Sequence, residues 1–83
     1  MQIFRVKWKV TDNSVNHTAE YEEFFSTRQK ANKAIDEYIE QERANCEKIK
    51  DNEFGRMPTR IVKIWFPNNA YQIVITRDLI EVQ

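Results

Sequence analysis

Between residues 2 and 10 apolar and polar side chains alternate without a break. Phe4, Val6, Trp8 and Val10 fall on one side; Ile3, Arg5, Lys7 and Lys9 fall on the other. A period of two is the spacing of a strand with one buried face. Residues 11–17 are polar and rich in side chains that bond their own backbone, which predicts a loop. Residues 18–25 predict a second strand with Ala19, Tyr21 and Phe25 inward. The same alternation turns Glu23 inward, which is unfavourable for a charge. A bulge at Glu22 and Glu23 would bring Phe24 to the core instead. The pattern leaves both arrangements open.

The period then changes. Ala31, Ala34, Ile35, Tyr38, Ile39, Cys46 and Ile49 fall on one stripe at 100° per residue. Ser26 is placed as an N-cap, and Gln29 three residues on completes a capping box. No glycine or proline occurs from Thr27 to Asn52. The expectation is one long helix over about residues 27–50, ~36 Å at 1.5 Å per residue. Glu42 interrupts the stripe. Either the helix leaves the sheet there, or its second half, with Cys46 and Ile49, packs on another subunit.

Residues 51–58 hold the only glycine and end in a proline, which predicts the helix stop. Phe54 and Met57 are expected to fold back onto the core. Residues 59–66 predict a third strand, 67–70 a turn, and 70–76 a fourth strand. Asn68 and Asn69 tolerate the left-handed backbone that a tight hairpin needs. This turn sets Phe66 against Tyr71, Ile64 against Ile73 and Val62 against Ile75, all apolar and on one face; a one-residue slip would spoil the match. Residues 77–83 either extend the last strand or bend away. The predicted fold is α+β: a two-layer ββαββ domain, a four-stranded antiparallel sheet with one long helix on one face.

Composition narrows the function classes. The 83 residues predict one domain. Thirteen Lys+Arg balance thirteen Asp+Glu. This argues against a whole-body electrostatic clamp for nucleic acid but leaves room for a local basic patch. One cysteine permits no intrachain disulfide and fits a reducing compartment. The alternating N-terminus does not read as a signal peptide, and no apolar run is long enough to span a membrane. The expected location is the cytoplasm.

Catalytic chemistry finds little footing. His17, the only histidine, sits in the polar loop, and Cys46 falls on the inner stripe as a small buried hydrophobe. There is no Cys-x-x-Cys, His-Glu-x-x-His or glycine-rich phosphate loop. Asp36/Glu40 and Glu37/Glu40 lie on the solvated side of the helix, where Lys33–Glu37 and Arg43–Glu47 are ordinary surface pairs. No enzyme activity, cofactor or metal is expected.

The sheet face away from the helix is the better candidate. Arg5, Lys7 and Lys9 share it with Ile61, Lys63, Trp65 and Val74, and Ile3, Gln72 and Thr76 complete it. An apolar cluster of Ile61, Trp65 and Val74 marks a contact surface, with a partner protein or in a homodimer. Basic and aromatic residues together also suit nucleic acid, through phosphate contact and base stacking. Glu20 and Glu22 oppose this if they pair with Lys7 and Lys9; a tail at residues 79–82 lying over Trp65 would remove the face altogether. A separate candidate is the first turns of the helix, where Arg28, Lys30 and Lys33 beside free amides could hold an anion.

At Phe25-Ser26-Thr27-Arg28-Gln29-Lys30-Ala31 the chain resembles a junction found in short phage and prophage proteins, where a strand ends in Phe-Ser-Thr and a Lys/Glu-rich helix begins. It is also similar to the strand-to-helix step of the arm-type DNA-binding domains of phage integrases, which place three strands before the helix. The phage resemblance implies a small accessory or inhibitory protein that acts by binding a host or phage protein.

Overall fold

The computed structural model describes residues 1–53 and 59–81, with the backbone alone for Glu53. In chain order the elements are β1 (Gln2–Asp12), β2 (His17–Phe25), α1 (Arg28–Glu42), β3 (Lys48–Glu53), β4 (Arg60–Trp65) and β5 (Tyr71–Glu81). The five strands form one sheet in the order β2-β1-β5-β4-β3, with every neighbouring pair antiparallel. The predicted four-stranded ββαββ arrangement is therefore wrong: the architecture is ββαβββ, still α+β. Phe54 and Met57 lie outside the described residues.

The error lies in the second half of the predicted helix. α1 stops at Glu42, and the amides of Asn45 and Cys46 both turn back to the Glu42 carbonyl, at 2.9 and 3.0 Å. Six residues on, the chain is extended and pairs with β4, setting Ile49 opposite Ile64 and Lys50 opposite Lys63. Two features favour a strand here. Ile49 and Asp51 alternate with Lys48 and Lys50, so a strand keeps one apolar residue on the core side. Pairing also supplies partners for the backbone groups along β4, which a helix overhanging the sheet would leave at an open edge.

The remaining elements follow local chemistry. The cap of α1 is Thr27, one residue later than predicted; its Oγ1 accepts from the Lys30 amide at 3.2 Å. Ser26 accepts instead from Lys30 Nζ, at 3.3 Å. Asn68 and Asn69 both take positive φ, 61° and 55°. They hold the predicted register: Ile64 opposite Ile73, Val62 opposite Ile75, and the Phe66 amide donating to the Tyr71 carbonyl at 3.1 Å. Asn13 ties the first loop to this turn, its side chain donating to Asn69 O at 2.7 Å.

The helix covers the middle of the sheet and leaves most of β2 exposed, with Ala19 and Phe25 half-buried. Ala31, Ile35 and Ile39 pack on Val6, Val62, Ile64, Ile73 and Ile75. β1 and β2 pair without a bulge, so Glu23 does share the helix-side face, opposite Val6, and Phe24 points outward. The charge is tolerated because that end of the face is open to water: Glu23 is exposed, as is Tyr21 at 62%.

Two arginines on the inner face were not anticipated. Arg60 and Arg77 stand opposite each other, 7% and 0% exposed. Arg60 is held by both carboxylate oxygens of Asp51, at 3.0 and 2.5 Å, by Asp36 at 2.9 Å and by Asn32 at 3.3 Å. Asn32 Oδ1 also accepts from Arg77 Nη1. Burial works against the Arg60 charge, but the Asp51 hydrogen bonds outweigh it and push the guanidinium pKa up. Asp36 stays on the solvated side of the helix, 62% exposed, and reaches Arg60 from there. No helix among the described residues is long and apolar enough to cross a membrane.

Candidate functional site

The outer face of the sheet assembles in rows, because antiparallel partners point to the same side. One row runs Lys50, Lys63, Val74, Lys9, Glu20 across all five strands. The next runs Lys48, Trp65, Gln72, Thr11, Thr18, and the one on the other side runs Asn52, Ile61, Thr76, Lys7, Glu22. The seven predicted residues Arg5, Lys7, Lys9, Ile61, Lys63, Trp65 and Val74 all share this face. Lys48 and Lys50 were missed, since a helix would have sent them elsewhere. The signal that could have found them is the alternation Lys48-Ile49-Lys50-Asp51.

The cations divide into two groups. Toward β2 they are neutralised: Arg5 Nη2 lies 3.2 Å from Asp78 Oδ2, and Lys7 Nζ 3.8 Å from Glu22 Oε1. Lys9, also next to β2, and the lysines toward β3 are not. Among the described residues no carboxylate lies within 4 Å of Lys9, Lys48, Lys50 or Lys63. Of the pairings open to Glu20 and Glu22, only Lys7–Glu22 forms; Lys9 and Glu20 are in register but not within 4 Å. Lys50 and Lys63 are directly opposed, a like-charge arrangement that costs stability.

Trp65 lies at the same end. Lys48 Nζ sits 5.3 Å from its ring centroid, a cation–π contact. Trp65, Ile61 and Val74 are half-buried, so the apolar cluster is set among lysine stems rather than standing proud. A hollow of about 590 Å³ opens beside Trp65, bordered by Lys48, Phe66, Asn69 and Glu47. Of the tail expected over the indole, Val82 lies outside the described residues and residues 79–81 do not cover it. They extend β5 along β1, with Glu81 opposite Gln2, at the other end of the strand from Gln72, the partner of Trp65.

The first turns of α1 are differently engaged. The Arg28 guanidinium lies 5.9 Å from the centroid of the Phe4 ring, Lys30 Nζ reaches Ser26, and Lys33 is exposed. The free amide of Lys30 is taken by Thr27. His17 is exposed, and Cys46 is half-buried with its thiol 3.5 Å from the Arg43 carbonyl. Arg43 pairs with Glu40 at 3.3 Å rather than with Glu47. Among the described residues no three His, Cys, Asp or Glu side chains gather in an arrangement that could hold a metal ion.

Searches of family models, curated proteins and solved structures return no match to the chain.

Proposed function

We propose that the protein is a non-enzymatic binding module whose outer sheet face takes a single-stranded nucleic acid. The observation that carries this reading is the directly opposed Lys50–Lys63 pair, in one row with Lys9 and beside Lys48, with no carboxylate in reach of any of the four among the described residues. Folding alone disfavours this arrangement, whereas a row of phosphates would stabilise it. The row spans three strand spacings, about 14 Å at ~4.8 Å each, a length suited to a backbone tracking across the strands. Trp65 at its end offers a ring on which a base can stack once Lys48 moves to a phosphate.

A partner protein with an acidic surface is the second reading. It is favoured by the half-buried Ile61, Trp65 and Val74 at the centre of the same face, and it is the accessory or inhibitory role that the phage-like junction implies. Self-assembly through sheet edges fits the charges less well. Pairing β2 with its own copy about Tyr21 sets Glu20 against Glu22, and pairing β3 about Lys50 sets that lysine against itself.

Titration of a fluorescent oligothymidylate at several salt concentrations is the test. Three to four phosphate contacts give a log–log salt slope of about −2 to −3 on single strands. Absence of binding at low salt overturns the nucleic-acid reading. Binding by a polyglutamate chain that the oligonucleotide cannot displace would favour the protein reading.

A further inference from the structure

A second surface, on the helix side of the sheet, has the opposite character. A groove of about 430 Å³ lies between α1 and the inner face of β1 and β2 around Trp8, Val10, Tyr21 and Glu23. Trp8 and Tyr38 form one corner of it, their rings edge-on with centroids 6.5 Å apart and planes at 65°. Tyr21 stands opposite on β2, largely exposed. Glu23 and Glu37 border the groove from the strand and the helix, and no lysine or arginine lines it. Neither carboxylate has a cation within 4 Å among the described residues. Burial, helped by Glu42, pushes the Tyr38 phenol above its ordinary range, so at neutral pH it offers a neutral ring and hydroxyl.

We propose that this groove, with the free edge of β2, binds an extended basic peptide and takes a lysine-type ammonium between Trp8, Tyr21 and Tyr38. The three aromatic rings that line the groove attract an ammonium through their quadrupoles, and Glu23 and Glu37 supply the countercharge. β2 is a nine-residue edge strand with no neighbouring strand on its outer side among the described residues, so a strand can be added along it. Glu20 on the other face of that edge, without an ion-pair partner, selects against acidic and for basic sequences. A second copy of β2 is a poor occupant because it brings acids against acids. The groove shares none of its lining residues with the Lys50–Lys63 row, which meets the β2 edge at Glu20 alone, and it stands or falls apart from that row.

The test uses the Trp65→Phe variant of the full chain, which leaves Trp8 as the only indole. A short synthetic peptide alternating lysine with threonine is titrated against Trp8 fluorescence, with the glutamate–threonine counterpart as comparison. The expected result is a saturable change with the lysine peptide alone. Its affinity should fall about tenfold or more in Glu23→Gln/Glu37→Gln, since the aromatic rings alone retain only part of the attraction. Tyr21→Ala is expected to weaken it as well. Both variants alter exposed side chains, and circular dichroism confirms that they fold. No saturable change, equal binding of the glutamate peptide, or an unchanged affinity in Glu23→Gln/Glu37→Gln overturns the proposal.

Discussion

Lys63→Glu should make the protein more stable and a poorer binder at once. In the folded chain Lys63 faces Lys50 across the β3–β4 ladder, with Val74 and then Lys9 on its other side. A directly opposed like-charge pair is unfavourable, and an opposite-charge pair favourable, by about 0.2–1 kcal/mol each. Both side chains are exposed, so the lower half of that range applies and the swing is about 0.5–1 kcal/mol. For a domain of this size that raises Tm by ~3–6 °C. The gain should shrink at high salt, where exposed charges are screened. Binding moves the other way: one phosphate contact is lost and a repulsion added, so the salt slope becomes shallower by ~0.7 or more. Thermal melts by circular dichroism and oligonucleotide anisotropy at two salt concentrations measure both. A lowered or unchanged Tm at low salt would refute the cross-strand repulsion. A raised Tm with undiminished binding would refute the assignment of the face.

Other expectations follow from the buried network, the turn and the first loop. Asp51→Ala removes both close oxygens from a guanidinium that is almost fully buried and should cost about 3 kcal/mol in urea denaturation. Asp36→Ala should cost under ~1 kcal/mol, because that carboxylate is 62% exposed; similar costs for the two would show that burial does not set their weights. At Asn68, φ of 61° favours glycine over any branched residue, so Asn68→Gly should be near neutral and Asn68→Val should destabilise by about 1–2 kcal/mol, read from the same denaturation curves. The Asp12 carboxylate is held below its ordinary 3.8, first by the Ser14 hydroxyl and also by backbone amides that include Ser14. A depressed folded value stabilises above the unfolded pKa and is lost as pH falls through the folded one. Amide protection at Ser14, corrected for intrinsic rates, should therefore drop in acid for the native chain and be low at all pH values in Asp12→Ala.

The legible parts of the outer site were those on β1, β4 and β5. Their period-two pattern is local, and the turn at Asn68 and Asn69 sets the register between β4 and β5 without outside help. Lys48 and Lys50 were hidden because residues 43–50 carry no glycine or proline and suit a helix as well as a strand. The helix-side groove was hidden for a different reason. Trp8 and Tyr21 looked like core positions on alternation alone, and nothing local says how much of the sheet a helix will cover.

Taken alone, the amino-acid sequence determined the strands at either end of the chain, the start of the helix to within one residue and the aliphatic positions that close the core, but not that Tyr21 stays exposed. These depend on side-chain period, capping and φ tolerance, which act over a few residues. Only the tertiary structure decided where the helix stops, that a fifth strand pairs with β4, and the order β2-β1-β5-β4-β3. It also decided that Arg60 and Arg77 could be buried. Arg60 draws its partners from positions 9, 24 and 28 residues away. Such a charge is tolerable only when the fold brings those groups to it, and an open strand edge only when the chain returns to pair with it.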